Sequence, residues 1–122
     1  MNGSDERNKS NIKLVPYALR AVMSWRGCTY DKLDGCPEVG LIAQDVEKDC
    51  KEAVVTSLGI RKFSDGTGIE GFKSLNTSGV SAAYHTEAIK ALVNLIELAI
   101  VSPDKALNSI GSIKQELGHV SD

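Results

Sequence analysis

The sequence predicts an α+β fold: a small mixed core of short strands and helices, a protruding hairpin or loop region, and long C-terminal helices forming a homotrimeric coil. Three observations predict it. Short apolar runs alternate with turn signals up to about residue 56, five of the eleven glycines crowd into residues 57–81, and the last third repeats apolar residues at steps of three and four. With 122 residues and 42% apolar content the chain supports one modest core, so residues 1–122 are read as a single domain. Only six residues are aromatic, and a small aliphatic core of this kind gains stability from association.

Residues 1–11 are almost wholly polar or small, with 1–3 read as an upstream stub and 4–56 as the α+β core. Pro16 opens a segment, PYALRAVMSW, that reads as a short helix with proline in its first turn and Gly27 at its end. Thr29–Leu33 and Val39–Ala43 flank an Asp34-Gly35 turn signal and read as a hairpin. Gln44–Asp49 follows as a short helix, and Glu52–Thr56 as another strand. Within 57–81, Ile60, Phe63, Ile69, Phe72, Leu75 and Val80 recur between turn residues such as Asp65-Gly66 and Ser78-Gly79. That stretch reads as protruding hairpins whose apolar groups await a partner surface, with a mobile loop as the alternative.

Residues 83–117 read as trimerising helices, one from about 83 to 101 and a second from about 103 to 117, with Ser102-Pro103-Asp104 as cap and first turn. Ile89, Leu92, Ile96, Ala99, Ala106, Ile110, Ile113 and Leu117 keep a heptad phase across that break and are the expected trimer interface. Isoleucine and leucine mixed over both core positions favour three strands over two. The same pattern also suits a single buried helix with the second packed back on it, and Gly111 and Gly118 weaken the tail as an independent coil.

A net charge of −2 with scattered acids and bases gives no footprint for nucleic acid or an anionic membrane, so neither is expected as a partner. No apolar run reaches 18 residues, and the polar opening lacks a signal-peptide core. Cys28, Cys36 and Cys50 are odd in number and lack C-x-x-C spacing, while His85 and His119 lie far from them, so no metal or cofactor is expected and the thiols read as reduced.

One constellation reads as chemistry: Ser4 with Lys9 five positions later. A serine hydroxyl becomes a competent nucleophile when a neighbour takes its proton, and a lysine does so when burial or nearby cations lower its pKa. Serine-lysine pairs are a known variant of the serine-histidine-aspartate arrangement. In an extended segment the two groups would stand about 15 Å or more apart, so the chain must bend to join them. Read by composition alone, the same octapeptide is a solvated tail.

The run Ser4-Asp5-x-Arg7-x-Lys9-x-Asn11-Ile12 resembles the S-D-x-R-x-K-x-N-I opening of the intramolecular chaperone auto-processing domains, the S74 peptidase family. Val39–Glu47 is similar to that family's V-G-x-I-A-Q-E-V block, and Glu52-Ala53-Val54 to its P-E-A-V. Tyr84 with Ala88–Leu92 resembles its closing helix. Asp45 stands where glutamate is usual, Lys51 replaces a proline, and the residues before Tyr84 are unusually small.

The resemblance implies a C-terminal chaperone of a homotrimeric phage tail fibre, tailspike, neck appendage or endosialidase, acting in the host cytoplasm during virion assembly. It further implies release by autoproteolysis at the Gly3-Ser4 bond, with Ser4 as nucleophile and Lys9 as base. Asp5 and Arg7 are then supporting residues: the acids are expected to point away from Lys9, and Arg7 either to pair with one of them or to help depress the Lys9 pKa. The folding client would be the β-rich parent upstream. Two rival readings are a trimerisation module without proteolysis and the same domain in a membrane-tethered transcription regulator. A free-standing metabolic enzyme lacks a phosphate loop, metal cluster or paired general acids.

Overall fold

In the computed structural model, residues 3–118 are described. They form a mixed α/β domain of short strands and helices. Helix α1 (Ala18–Ser24) leads into a hairpin of β1 (Cys28–Asp31) and β2 (Pro37–Gly40), then α2 (Ala43–Glu47), a 3₁₀ turn at Lys51–Ala53 and β3 (Val54–Thr56). After β4 (Ile60–Lys62), β5 (Gly68–Glu70) and β6 (Lys73–Leu75) come the long α3 (Thr77–Val101) and α4 (Pro103–Gly118). No helix among the described residues is long and apolar enough to cross a membrane.

All strand pairing is antiparallel: β1 with β2, β3 with β6, and β4 with β5 nested between them. The last four strands make one arm. Between the pairs Thr56↔Lys73 and Ile60↔Glu70 the outgoing side has three residues and the returning side two. The arm therefore carries a one-residue bulge, where Gly59 adopts φ 73° and Leu58 is 100% exposed. From Val54 to its tip the arm reaches about 30 Å. Val54–Thr56, read as a strand of the core, thus extends the hairpin that residues 57–81 were read to form.

Both hairpin tips use one turn chemistry. At Lys32–Cys36 the Lys32 N–H donates to the Cys36 carbonyl (3.0 Å), the Gly35 N–H to the Lys32 carbonyl (2.8 Å) and the Cys36 N–H to Asp34 Oδ1 (2.8 Å). Phe63–Thr67 repeats all three bonds around Asp65 and Gly66. The aspartate folds over its own backbone while the glycine takes the left-handed φ.

The core is built from Ala18, Ala21, Trp25, Val46, Ala53, Val80, Tyr84 and Ala88. Four of these are alanines, which lets α1 lie close to α3 and leaves Trp25 and Tyr84 as the bulk. Their rings meet at 4.9 Å between centroids. Both polar tips end on Asp49: Trp25 Nε1 donates to its Oδ2 (2.9 Å) and the Tyr84 hydroxyl to its carbonyl (3.1 Å). Burial pushes the Tyr84 phenol up to about 12, with Cys50 adding to the shift, so it stays a donor.

Three expectations need correction. Helix α1 starts at Ala18 and not at Pro16, because Tyr17 sits in the left-handed region at φ 50° with the Arg20 guanidinium 4.3 Å from its ring centre. Helix α3 starts at Thr77, six residues before the expected start. Ser78-Gly79 is not a turn but the first turn of the helix, capped by Asn76 Oδ1, which accepts from the Gly79 N–H (3.1 Å).

The heptad seam does not run on from α3 into α4. Ser102 leaves helical geometry (φ −147°, ψ 77°) and Pro103 offers no N–H, so the chain reverses. Helix α4 lies back along α3: Ile113 shares a cleft with Ala91, Leu95 and Leu98, and Glu116 pairs with Arg20 of α1 (2.6 Å).

At a fixed chain concentration, Tyr84→Ala is expected to lose about 3 kcal/mol or more of unfolding free energy, and Tyr84→Phe about 1 kcal/mol, by urea denaturation. A second expectation concerns Asp45, whose carboxyl is held below its usual range by Arg26 (Nε to Oδ2 2.9 Å, Nη2 to Oδ1 3.1 Å). A depressed carboxyl contributes stability above its unfolded pKa of about 3.9 and loses it as pH falls through the folded value. Because Arg26 is 67% exposed, the effect is small. Asp45→Asn should lower the denaturation midpoint slightly at pH 7, and the difference should vanish in strong acid.

Candidate functional site

Residues 3–14 are exposed and lie outside the core, so their local geometry is set by their own hydrogen bonds. The shape comes from a single 3₁₀ turn at Glu6–Asn8. Asp5 caps it: Oδ1 accepts from the Arg7 backbone N–H at 2.8 Å. The turn closes through Asn8 N–H to the Asp5 carbonyl (3.0 Å) and Lys9 N–H to the Glu6 carbonyl (3.1 Å). Beyond it the backbone is extended at Lys9, and Asn11 takes φ 54°, a value asparagine tolerates better than most residues.

That single turn brings the Lys9 Nζ to 3.1 Å from Ser4 Oγ, donating to it. Two groups that an extended chain would hold about 15 Å apart are thereby within hydrogen-bond reach. The Arg7 guanidinium faces Asp5, not Lys9: Nε lies 3.1 Å from Oδ1 and Nη2 2.7 Å from Oδ2. The fork lowers the Asp5 carboxyl and raises Arg7 further. Of the two expectations for Arg7, the geometry has it pairing with an acid. Gly3 is exposed, and an added Cβ there would meet nothing within 4 Å.

A serine hydroxyl and a lysine amine in contact are the elements of nucleophile and base, provided the amine is neutral. Burial or nearby cations favour neutral lysine; Ser4 and Lys9 are both exposed. Two clefts exist elsewhere. One of about 520 Å³ lies between α1, α3 and α4, and one of about 760 Å³ between the two hairpins; neither is lined by Ser4 or Lys9.

The eight expected interface residues fall into two sets. Ile89, Leu92, Ile96 and Ala99 are exposed on α3, whereas Ala106 is buried and Ile110, Ile113 and Leu117 are half-buried on α4. The exposed set belongs to a wider stripe that periodicity had only partly picked out. Ile89, Val93, Ile96 and Ile100 follow steps of four, three and four along the helix face opposite Val80, Tyr84, Ala91, Leu95 and Leu98. Ile89 is 60%, Ile96 59% and Ile100 78% exposed. Helix α3 is thus apolar on two opposed faces, only one of which its own chain covers.

Of the thiols, Cys36 is exposed and Cys28 and Cys50 half-buried; all three are free. Among the described residues no group of three possible metal ligands converges, and His119 lies outside them. Sequence reasoning missed the Asp49 junction, for which the only signal was the presence of one tryptophan.

Residues 4–55 match the family model Peptidase_S74, described as chaperone of endosialidase. No curated protein matches the chain. The matched span opens on Ser4 and runs through the turn, α1, the first hairpin and α2, ending within β3, the first strand of the arm, and before the two long helices.

Proposed function

We propose that this chain, a member of the Peptidase_S74 family over residues 4–55, is an intramolecular chaperone that trimerises and cuts itself from the polypeptide before it at Gly3-Ser4. The chaperone role is what the family description supports; self-cleavage rests on one observation, the 3.1 Å contact from Lys9 to Ser4 at the opening of the matched span.

The step follows from connectivity. Ser4 Oγ attacks the Gly3 carbonyl carbon through a five-membered ring while neutral Lys9 takes the hydroxyl proton. The Gly3-Ser4 C–N bond then breaks, Lys9 returns the proton to the departing Ser4 amine, and Gly3 is left as an ester on Ser4. Water hydrolyses that ester. Attack within one residue gains the proximity advantage of an intramolecular nucleophile.

Trimerisation is supported by the outer stripe of α3. Isoleucine and valine at four-three-four spacing, with Leu92 alongside, suit a three-stranded seam of α3 helices, and burying them would answer their exposure. The arm from Val54 to Leu75 offers Val55, Leu58 and Ile60 to a client, while Phe63 and Phe72 cover each other under Arg61. In this reading the client is the β-rich parent of a phage fibre, spike or appendage, assembled in the host cytoplasm. Holding one end of three chains together raises the effective concentration of the rest.

With a reporter protein fused at Met1, Ser4→Ala and Lys9→Ala are each expected to slow release by about a hundredfold or more, read by gel and by the mass of the freed chain. Full release in either variant refutes the pair. Sedimentation equilibrium should report three chains, and Ile96→Asp, which seats a carboxylate in the seam, should give one.

A further inference from the structure

The Ser4–Lys9 contact depends on two neighbours that form no part of the reacting group. We propose that Asp5 and Arg7 are positioning residues for the pair: Asp5 caps the turn that folds Lys9 back onto Ser4, and Arg7 occupies the Asp5 carboxylate so that Lys9 does not.

The geometry assigns Asp5 two simultaneous tasks. Its Oδ1 accepts from the Arg7 backbone N–H at 2.8 Å, which fixes the second residue of the turn. Both oxygens also accept from the Arg7 side chain, Oδ1 from Nε and Oδ2 from Nη2. A guanidinium fork satisfies a carboxylate through two parallel bonds, and a lysine ammonium offers only a point charge, so Arg7 is the stronger claimant.

Competition for that carboxylate matters because Asp5 adjoins the nucleophile. Lys9 makes no ion pair among the described residues, and the ionisable groups of its own segment are Asp5, Glu6, Arg7 and Lys13. Glu6 meets Lys9 through its backbone carbonyl alone. Were Asp5 released from Arg7, its carboxylate, one residue from Ser4, would be free to pair with Lys9, and pairing would hold the lysine charged, the form that cannot accept the serine proton. Capping and pairing are thus separable: asparagine at position 5 keeps a cap without the charge.

This inference rests on the peptidase reading above, and its test separates the two. Release of the fused reporter is followed against pH for the parent chain, Arg7→Ala, Asp5→Ala and Asp5→Asn combined with Arg7→Ala. At neutral pH, Arg7→Ala is expected to be about two- to five-fold slower, the range of an exposed ion pair, and its rate limb should move to higher pH with an unchanged plateau. The double variant should return to the parent profile, whereas Asp5→Ala, which lacks the cap, should be slower even on the plateau. A parent-like profile for Arg7→Ala, or a double variant as slow as Arg7→Ala, overturns the proposal. If the parent chain is not cut, the peptidase reading fails, and NMR titration of the Lys9 side chain decides the positioning. A midpoint raised by Arg7→Ala and restored in the double variant supports it; one midpoint in all three overturns it.

Discussion

Asp49 is the point at which this fold is tied together. It accepts the Trp25 indole through its side chain and the Tyr84 phenol through its backbone, so α1, the end of α2 and α3 meet at one residue. A buried indole or phenol without a partner is costly, and Asp49 satisfies both. The junction matters more because the surrounding core is alanine. Ala18, Ala21, Ala53 and Ala88 allow close approach but contribute little apolar area, which leaves two aromatics, tilted against each other, to supply the volume.

From that junction the asymmetry of α3 follows. Its first half is anchored by Val80, Tyr84 and Ala88, and its second half is backed by α4 through Leu95 and Leu98. The inner face therefore packs against its own chain, and the outer face, centred on Ile89, Val93, Ile96 and Ile100, is presented by a helix backed from behind. A surface helix with one apolar face needs no partner; one with two opposed faces does. With α4 turned back, the proposed seam would lie on α3 alone, and α4 packs behind the helix that would carry it.

Local chemistry was legible in the sequence, and chain reversal was not. Asp34-Gly35 and Asp65-Gly66 each specify a turn through one side-chain bond and one left-handed glycine, and both form as read. Asn76 was a capping signal obscured by the glycine three residues on, which cost α3 its first six residues in the reading. Heptad counting carried Ile89 through Leu117 as one stripe because a phase counts positions and not directions; Ser102 and Pro103 preserve the phase while the chain turns round. For the site, residue types and spacing brought Ser4 and Lys9 together as candidates, but the bend that joins them depends on the Asp5 cap, a bond of the folded chain. The pairing of Arg7 was one of two options in the sequence, and only geometry separates them.

An exposed dyad is what a chaperone that cuts itself once would need. In the proposed self-cleavage, Ser4 and the carbonyl it would attack are adjacent in the chain, so proximity would be present from synthesis onward and would give no control over timing. Control has to act on the remaining requirements: a neutral lysine and donors for the developing oxyanion, both of which depend on excluding water. In the single chain Ser4 and Lys9 both stand in solvent. If assembly through α3 brings neighbouring surface over that segment, folding of the trimer becomes the condition for the cut, and a chain that fails to assemble keeps its chaperone. A deep pocket around the pair in the single chain would lose that order, because it would arm the lysine before there was a trimer to release.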